Sequence, residues 1–119
     1  MTGTVTIGGR DVAMRADGST PYKYAAIHGT SGDLVKLLYS GTEDDAVFID
    51  VMTRLGYTMA VQAGDADPGS LGQKDFEAWC AEFGPVDLMT ASTEIYRFYR
   101  YQAAPTSEAK KKSGPSTGK

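Results

Sequence analysis

The chain has 119 residues, one cysteine and one histidine, with 12 basic against 15 acidic side chains and a net charge of −3. That length holds one domain, and the acidic balance argues against a protein built mainly to grip duplex nucleic acid. A single Cys with a single His supplies neither an internal disulfide nor a four-ligand zinc site. No apolar run approaches the roughly 18 residues of a membrane span. The start, Met1-Thr-Gly-Thr-Val-Thr-Ile, lacks the basic opening and long apolar stretch of a signal peptide. A cytoplasmic protein without a cofactor or bound metal is expected.

Taken in chain order, Thr4–Ile7 and Val12–Arg15 flank Gly8-Gly9-Arg10-Asp11. Val5, Ile7, Val12 and Met14 recur at a spacing of two, which predicts a β-hairpin over 4–15 with one apolar face. A lone hairpin is marginal in water, so it must pack on helices. Ser19-Thr20-Pro21 signals a helix start, a hydroxyl cap followed by Pro in the first turn. Tyr24, Ile27 and His28 follow at helical spacing up to Gly29. A short helix, Leu34–Tyr39, lies between Ser31-Gly32-Asp33 and Ser40-Gly41.

The longest periodic segment begins at Thr42, read as an N-cap with Glu43, Asp44 and Asp45 in the first turn. Phe48, Met52, Leu55 and Met59 form its stripe, widened by Val47, Val51 and Val61. Gly56 weakens such a helix by up to about 1 kcal/mol relative to Ala, which points to a close helix crossing there. Gly64 is the expected stop. After a polar loop over 65–73, Phe76, Trp79, Cys80 and Phe83 fall on one helical face. A last helix runs from about Val86 to Tyr101, with Leu88, Ile95 and Tyr99 inward. The expected fold is mainly α: an N-terminal hairpin packed on about four or five short helices over 1–102.

Residues 103–119 read AAPTSEAKKKSGPSTGK, without a Val, Ile, Leu, Met or aromatic residue. Such a segment has no large side chain to bury and is expected to be disordered. It carries +3, against −6 for residues 1–102.

His28 and Cys80 are the residues from which a small enzyme could be argued. His28 lacks a neighbouring nucleophile and orienting group, and Cys80 shares a stripe with Phe76, Trp79 and Phe83, which predicts a buried thiol. Asp44-Asp45 and Asp65–Asp67 lack calcium-loop spacing and read as helix capping and a solvated loop. The run Tyr96-Arg97-Phe98-Tyr99-Arg100-Tyr101 interleaves aromatic and Arg side chains. It fits ordinary packing at a helix end, a protein interface centred on Tyr96, Arg97, Phe98, Arg100 and Tyr101, or stacking on single-stranded nucleic acid.

In order and spacing, these pieces resemble the tail assembly chaperones of long-tailed bacteriophages, the type found in phages and prophages of Gram-positive bacteria. The matching segments are Val5-Thr-Ile-Gly-Gly-Arg-Asp-Val12, Thr20-Pro21-Tyr22-Lys23-Tyr24, Gly32-Asp33-Leu34, Leu55-Gly56-Tyr57-Thr58-Met59-Ala60 and Phe76-Glu77-Ala78-Trp79. Together they cover roughly residues 4–102. Where the family often ends a segment in Phe-Gly-Arg-Asp, this chain has Ile27-His28-Gly29-Thr30-Ser31-Gly32-Asp33. The resemblance implies a non-enzymatic, non-virion protein of the host bacterial cytoplasm. It would bind the tape-measure protein, oligomerise along it and promote tail-tube assembly. It also implies a programmed frameshift that yields a longer form contacting the tail-tube protein, with Lys110, Lys111 and Lys112 as the candidate slip region. A head–tail connector or other adaptor, or a single-stranded nucleic-acid-binding accessory protein, is the alternative.

Overall fold

A computed structural model describes residues 2–102. The expectation for 103–119, including Lys110–Lys112, lies outside the described residues.

The hairpin consists of β1 (Thr2–Ile7) and β2 (Arg10–Arg15), antiparallel, with Ile7 opposite Arg10, Val5 opposite Val12 and Gly3 opposite Met14. Gly8 and Gly9 carry φ angles of 59° and 80°. Two successive left-handed residues make the tight turn whose twist matches that of the strands. Val5, Ile7, Val12 and Met14 are all buried on one face, as the alternation predicts.

Five helices follow: α1 (Thr20–His28), α2 (Gly32–Ser40), α3 (Asp45–Ala63), α4 (Gln73–Cys80) and α5 (Asp87–Arg97). A single 3-10 turn, Pro68–Ser70, interrupts the loop after α3, and α5 runs on into a π-helical turn over Phe98–Gln102. The architecture is the mainly helical fold with an N-terminal hairpin.

Helix α3 is the central post. Val51, Met52, Leu55 and Met59 are buried along it and share one core with the hairpin face, Tyr24, Leu34 and Ile95. Burying each such side chain is worth about 1.5–3 kcal/mol. Gly56 marks the crossing of α3 and α5, since a Cβ there would lie 2.9 Å from Ile95 Cδ1. A smaller cluster of Ile27, Tyr57, Val61 and Phe76 joins α1, α3 and α4.

Several helix boundaries differ from expectation. The cap of α3 is Asp44, not Thr42. Asp44 is extended, and its carboxylate accepts from Ala46 N at 3.0 Å and Val47 N at 3.3 Å. Thr42 sits two residues before it, its hydroxyl accepting from Asp44 N at 3.1 Å. At α1 neither hydroxyl caps the helix: Ser19 donates to the Asp17 carboxylate. Thr20 turns inward, accepting from Asp17 N and donating to buried Gln62 Oε1, both at 2.9 Å. Helix α4 ends at Cys80, so Phe83 belongs to the following turn. It still packs inward, its ring 5.0 Å from Trp79 with the Arg10 guanidinium 4.5 Å above it. The α-helical part of the last helix stops at Arg97 rather than Tyr101.

No helix among the described residues is long and apolar enough to cross a membrane.

Candidate partner-binding surface

The run 96–101 is divided by the turn of its helix. Phe98 is 7% exposed and packs against Gly3, where a Cβ would stand 2.9 Å from Phe98 Cε1. It is a core residue that also contributes to the lining of the cleft beside the hairpin. Tyr99 is half-buried, and desolvation pushes its phenol above the ordinary value. Tyr96 is half-buried against Phe48, ring centroids 5.7 Å apart. Arg100 lies over the Tyr96 ring at 5.7 Å and donates to Leu38 O at 3.3 Å, tying the π-helical turn after α5 to α2. Arg97 pairs with Glu94 at 2.9 Å on the surface. Tyr101 is 61% exposed. Of the five expected interface residues, Arg97, Arg100 and Tyr101 are exposed, and Arg100 is the one of these held against α2.

Arg97 and Tyr101 wall a cleft of about 470 Å³ beside the hairpin, with Thr4, Val5, Thr6, Glu94 and Phe98 completing its lining. A second hollow of about 350 Å³ continues it toward the hairpin turn, lined by Thr6, Gly8, Asp87, Thr90 and Glu94 among others.

A second surface escaped the sequence reading. Helix α2 buries Leu34 and Leu37. On its other side Val35 is 50% exposed and Tyr39, one turn further on, is 93% exposed. A helix apolar on both sides at the surface of a domain is half-finished packing. Nearby, Val47 in the first turn of α3 lines a hollow of about 410 Å³ with Leu37, Lys36 and Asp33. The sequence signal was Leu34-Val35-Lys36-Leu37-Leu38-Tyr39, which has too many large apolar residues for a helix with one buried face.

His28 and Cys80 both belong to the aromatic corner around Phe76. The His28 ring is 4.7 Å from Tyr24 and 5.2 Å from Phe76. Its Nε2 lies 3.1 Å from Arg54 O, the position of a donating N–H, and its Nδ1 lies 3.4 Å from Arg54 Nη1. Burial pushes the imidazole below its ordinary pKa. Arg54 is held in turn by Asp50 at 3.2 Å, by Gln73 Oε1 at 3.2 Å and by the Phe76 face at 4.8 Å. Cys80 is half-buried, and burial raises its thiol pKa, so the sulfur is a protonated, poor nucleophile at neutral pH. The His28 ring nitrogens face Arg54 O and Arg54 Nη1 rather than that sulfur.

The acidic pairs are used locally. Asp44 caps α3, Asp67 accepts from Gly69 N at 3.0 Å, and Asp65 pairs with Arg15 at 3.1 Å. Among the described residues, no three His, Cys, Asp or Glu side chains gather into a metal-holding group. Compared with known protein families, curated proteins and solved structures, the chain matches none.

Proposed function

We propose that this chain is a tail assembly chaperone of a long-tailed bacteriophage. It acts in the host cytoplasm, outside the finished virion, by covering the tape-measure protein and lining up copies of itself along it. A longer frameshifted form then brings in tail-tube protein. Two things support the reading: the ordered series of segments over 4–102, and a surface that offers adhesive side chains.

The observation that carries it is α2. Tyr39 and Val35 present an apolar face outward while Leu34 and Leu37 occupy the core. A long, partly apolar helical protein left naked would aggregate. A rigid aromatic anchor beside a shallow hollow suits such a helix. Each contact can be weak, because many copies on one long filament gain by avidity.

The test is co-expression with a phage tape-measure protein. The chain should raise the soluble yield of the tape measure and co-purify with it. Tyr39→Ala together with Val35→Ala should weaken that association by about 30-fold or more, the effect of losing a hot-spot aromatic, while the folded chain survives. The absence of both a solubility gain and co-purification would refute the reading. Single-strand binding that weakens steeply with salt would favour the nucleic-acid alternative.

A further inference from the structure

Helices α2 and α3 diverge where they meet. Gly41 joins them with a positive φ of 76°, and a Cβ built there would touch nothing within 4 Å. The opening is the hollow of about 410 Å³. Its floor is apolar, formed by Leu37 and the exposed Val47. Its rim is acidic: Asp33 and Asp44 line it, and Glu43 and Asp45 flank Asp44 in the chain.

The two rim carboxylates are fixed by neutral donors. Asp33 accepts from Leu34 N at 2.7 Å and from the Tyr24 hydroxyl at 3.3 Å. Asp44 accepts from Ala46 N and Val47 N as the cap of α3. The helix starts at which they sit offset only about half a charge each. The ion pairs among the described residues join Arg10 to Glu82, Arg15 to Asp65, Arg54 to Asp50 and Arg97 to Glu94, so none uses Asp33, Glu43, Asp44 or Asp45. Two cations stand near. Lys36 lines the hollow and is exposed. Arg100 reaches the end of α2, where Leu38 O and the Tyr96 ring already engage it. Carboxylates therefore outnumber cations at this corner.

At about 100° per residue, Val35 and Tyr39 fall on one side of Lys36 along α2, and Asp33 and Leu37 on the other. A helix laid along α2 meets the exposed Val35 and Tyr39 with one flank and the hollow with the other.

We propose that the hollow between α2 and α3 receives a Lys or Arg side chain from an amphipathic helix of the partner. The alkyl stem lies on Leu37 and Val47, as long basic side chains do on apolar surface, and the charged head lies at Asp33 and Asp44. The partner's apolar stripe rests on Val35 and Tyr39. An apolar side chain in the hollow would strip water from two carboxylates without replacing it; a basic one replaces it with charge-assisted hydrogen bonds. Lys36 opposes the incoming charge, and its flexible stem lets it turn away. The inference rests on the proposed function and names the chemistry of the stretch that is covered: apolar residues flanked by basic ones.

The test uses the full chain and two synthetic helical peptides with the same leucine stripe, one flanked by lysine and the other by glutamate. Fluorescence anisotropy should show the lysine peptide bound at least about tenfold more tightly. Asp33→Asn with Asp44→Asn removes both rim charges while Asn keeps the backbone bonds and the cap. This pair should weaken the lysine peptide about tenfold. Glu77→Gln with Glu82→Gln removes the same charge elsewhere and should change binding less than about twofold. Lys36→Gln should tighten it about twofold to threefold. Equal binding of the two peptides, or equal losses in the two double variants, would overturn the proposal, because the attraction would then be to net charge alone. So would a lysine peptide that does not bind. The tape-measure protein separates the two claims. Co-purification lost in Tyr39→Ala with Val35→Ala but kept in Asp33→Asn with Asp44→Asn upholds the proposed function and overturns this inference. A lysine peptide held at the rim with the tape measure unbound does the reverse.

Discussion

Replacing Gly56 by alanine sets two effects of similar size against each other. Gly56 lies inside α3, where Ala is favoured over Gly by about 0.8–1 kcal/mol. The new Cβ would stand 2.9 Å from Ile95 Cδ1 and 3.6 Å from Met14 Cε. Carbon atoms pack best at about 3.5–4.0 Å, so the Ile95 methyl must retreat by about 0.6–1 Å. Ile95 and Met14 are both fully buried, and forcing a methyl into a filled core costs about 1–3 kcal/mol. Gly56→Ala should therefore lose about 0–2 kcal/mol despite its better helix propensity. Ile95→Val removes the clashing Cδ1 and alone should cost about 0.5–1.5 kcal/mol. Combined, the alanine methyl occupies the space that the isoleucine methyl vacates, and the pair should couple favourably by about 1–2 kcal/mol. Urea unfolding followed by circular dichroism measures all four corners of the cycle, with an unchanged denaturant slope as the control. Costs that add to within about 0.3–0.5 kcal/mol would refute the argument that Gly56 exists to let α5 approach α3.

Phe98→Ala should cost about 3–5 kcal/mol in thermal or urea unfolding, whereas Tyr101→Ala, two-thirds of a turn away, should stay within about 0.5 kcal/mol; similar losses would show that the last turn is misread. Thr20→Val keeps the shape but strands buried Gln62 Oε1 and the Asp17 N–H, and should cost about 1–3 kcal/mol, with Thr20→Ser retaining most of the stability. Burial holds the His28 pKa below 6.5, so on acidification the unfolded chain takes up that proton first. Stability should be greatest above about pH 6.5 and fall through the window below it. His28→Gln should flatten that part of the profile of thermal midpoint against pH; an identical slope in both proteins would exclude the imidazole as its source. Asp17 acts in a separate window, because hydrogen bonds from Ser19 hold its carboxyl at about 2, and its contribution fades between about pH 4 and pH 2.

How far the residue pattern alone carries can be read from particular elements. The hairpin and its buried face were legible, because alternation in Val5, Ile7, Val12 and Met14 and a Gly-Gly turn are both local signals. Its strands are longer than the expected 4–7 and 12–15, with Arg10 and Asp11 paired in the ladder and not in the turn. The stripe of α3 and the close crossing at Gly56 were legible too, since a buried helix must repeat its apolar residues near every third or fourth position; Val47, expected to widen that stripe, is instead exposed in the first turn. Boundaries were less legible. Whether Thr42 or Asp44 caps α3 depends on which residue turns extended after Gly41, a matter of how α2 docks.

The surface was the hardest part. A run such as Tyr96–Tyr101 states that aromatic and Arg side chains are present, but not which way each points. That is decided by the seating of α5 on Gly3 and Gly56, which sends Phe98 inward and leaves Arg97 and Tyr101 outside. Likewise Val35 and Tyr39 looked like ordinary members of an apolar helix. Only the docking of α2 through Leu34 and Leu37 shows that they face away from the core. Periodicity, charge and turn chemistry are properties of neighbouring residues and survive in the chain as written. Exposure is a property of what packs against what, and it exists only once distant elements have met.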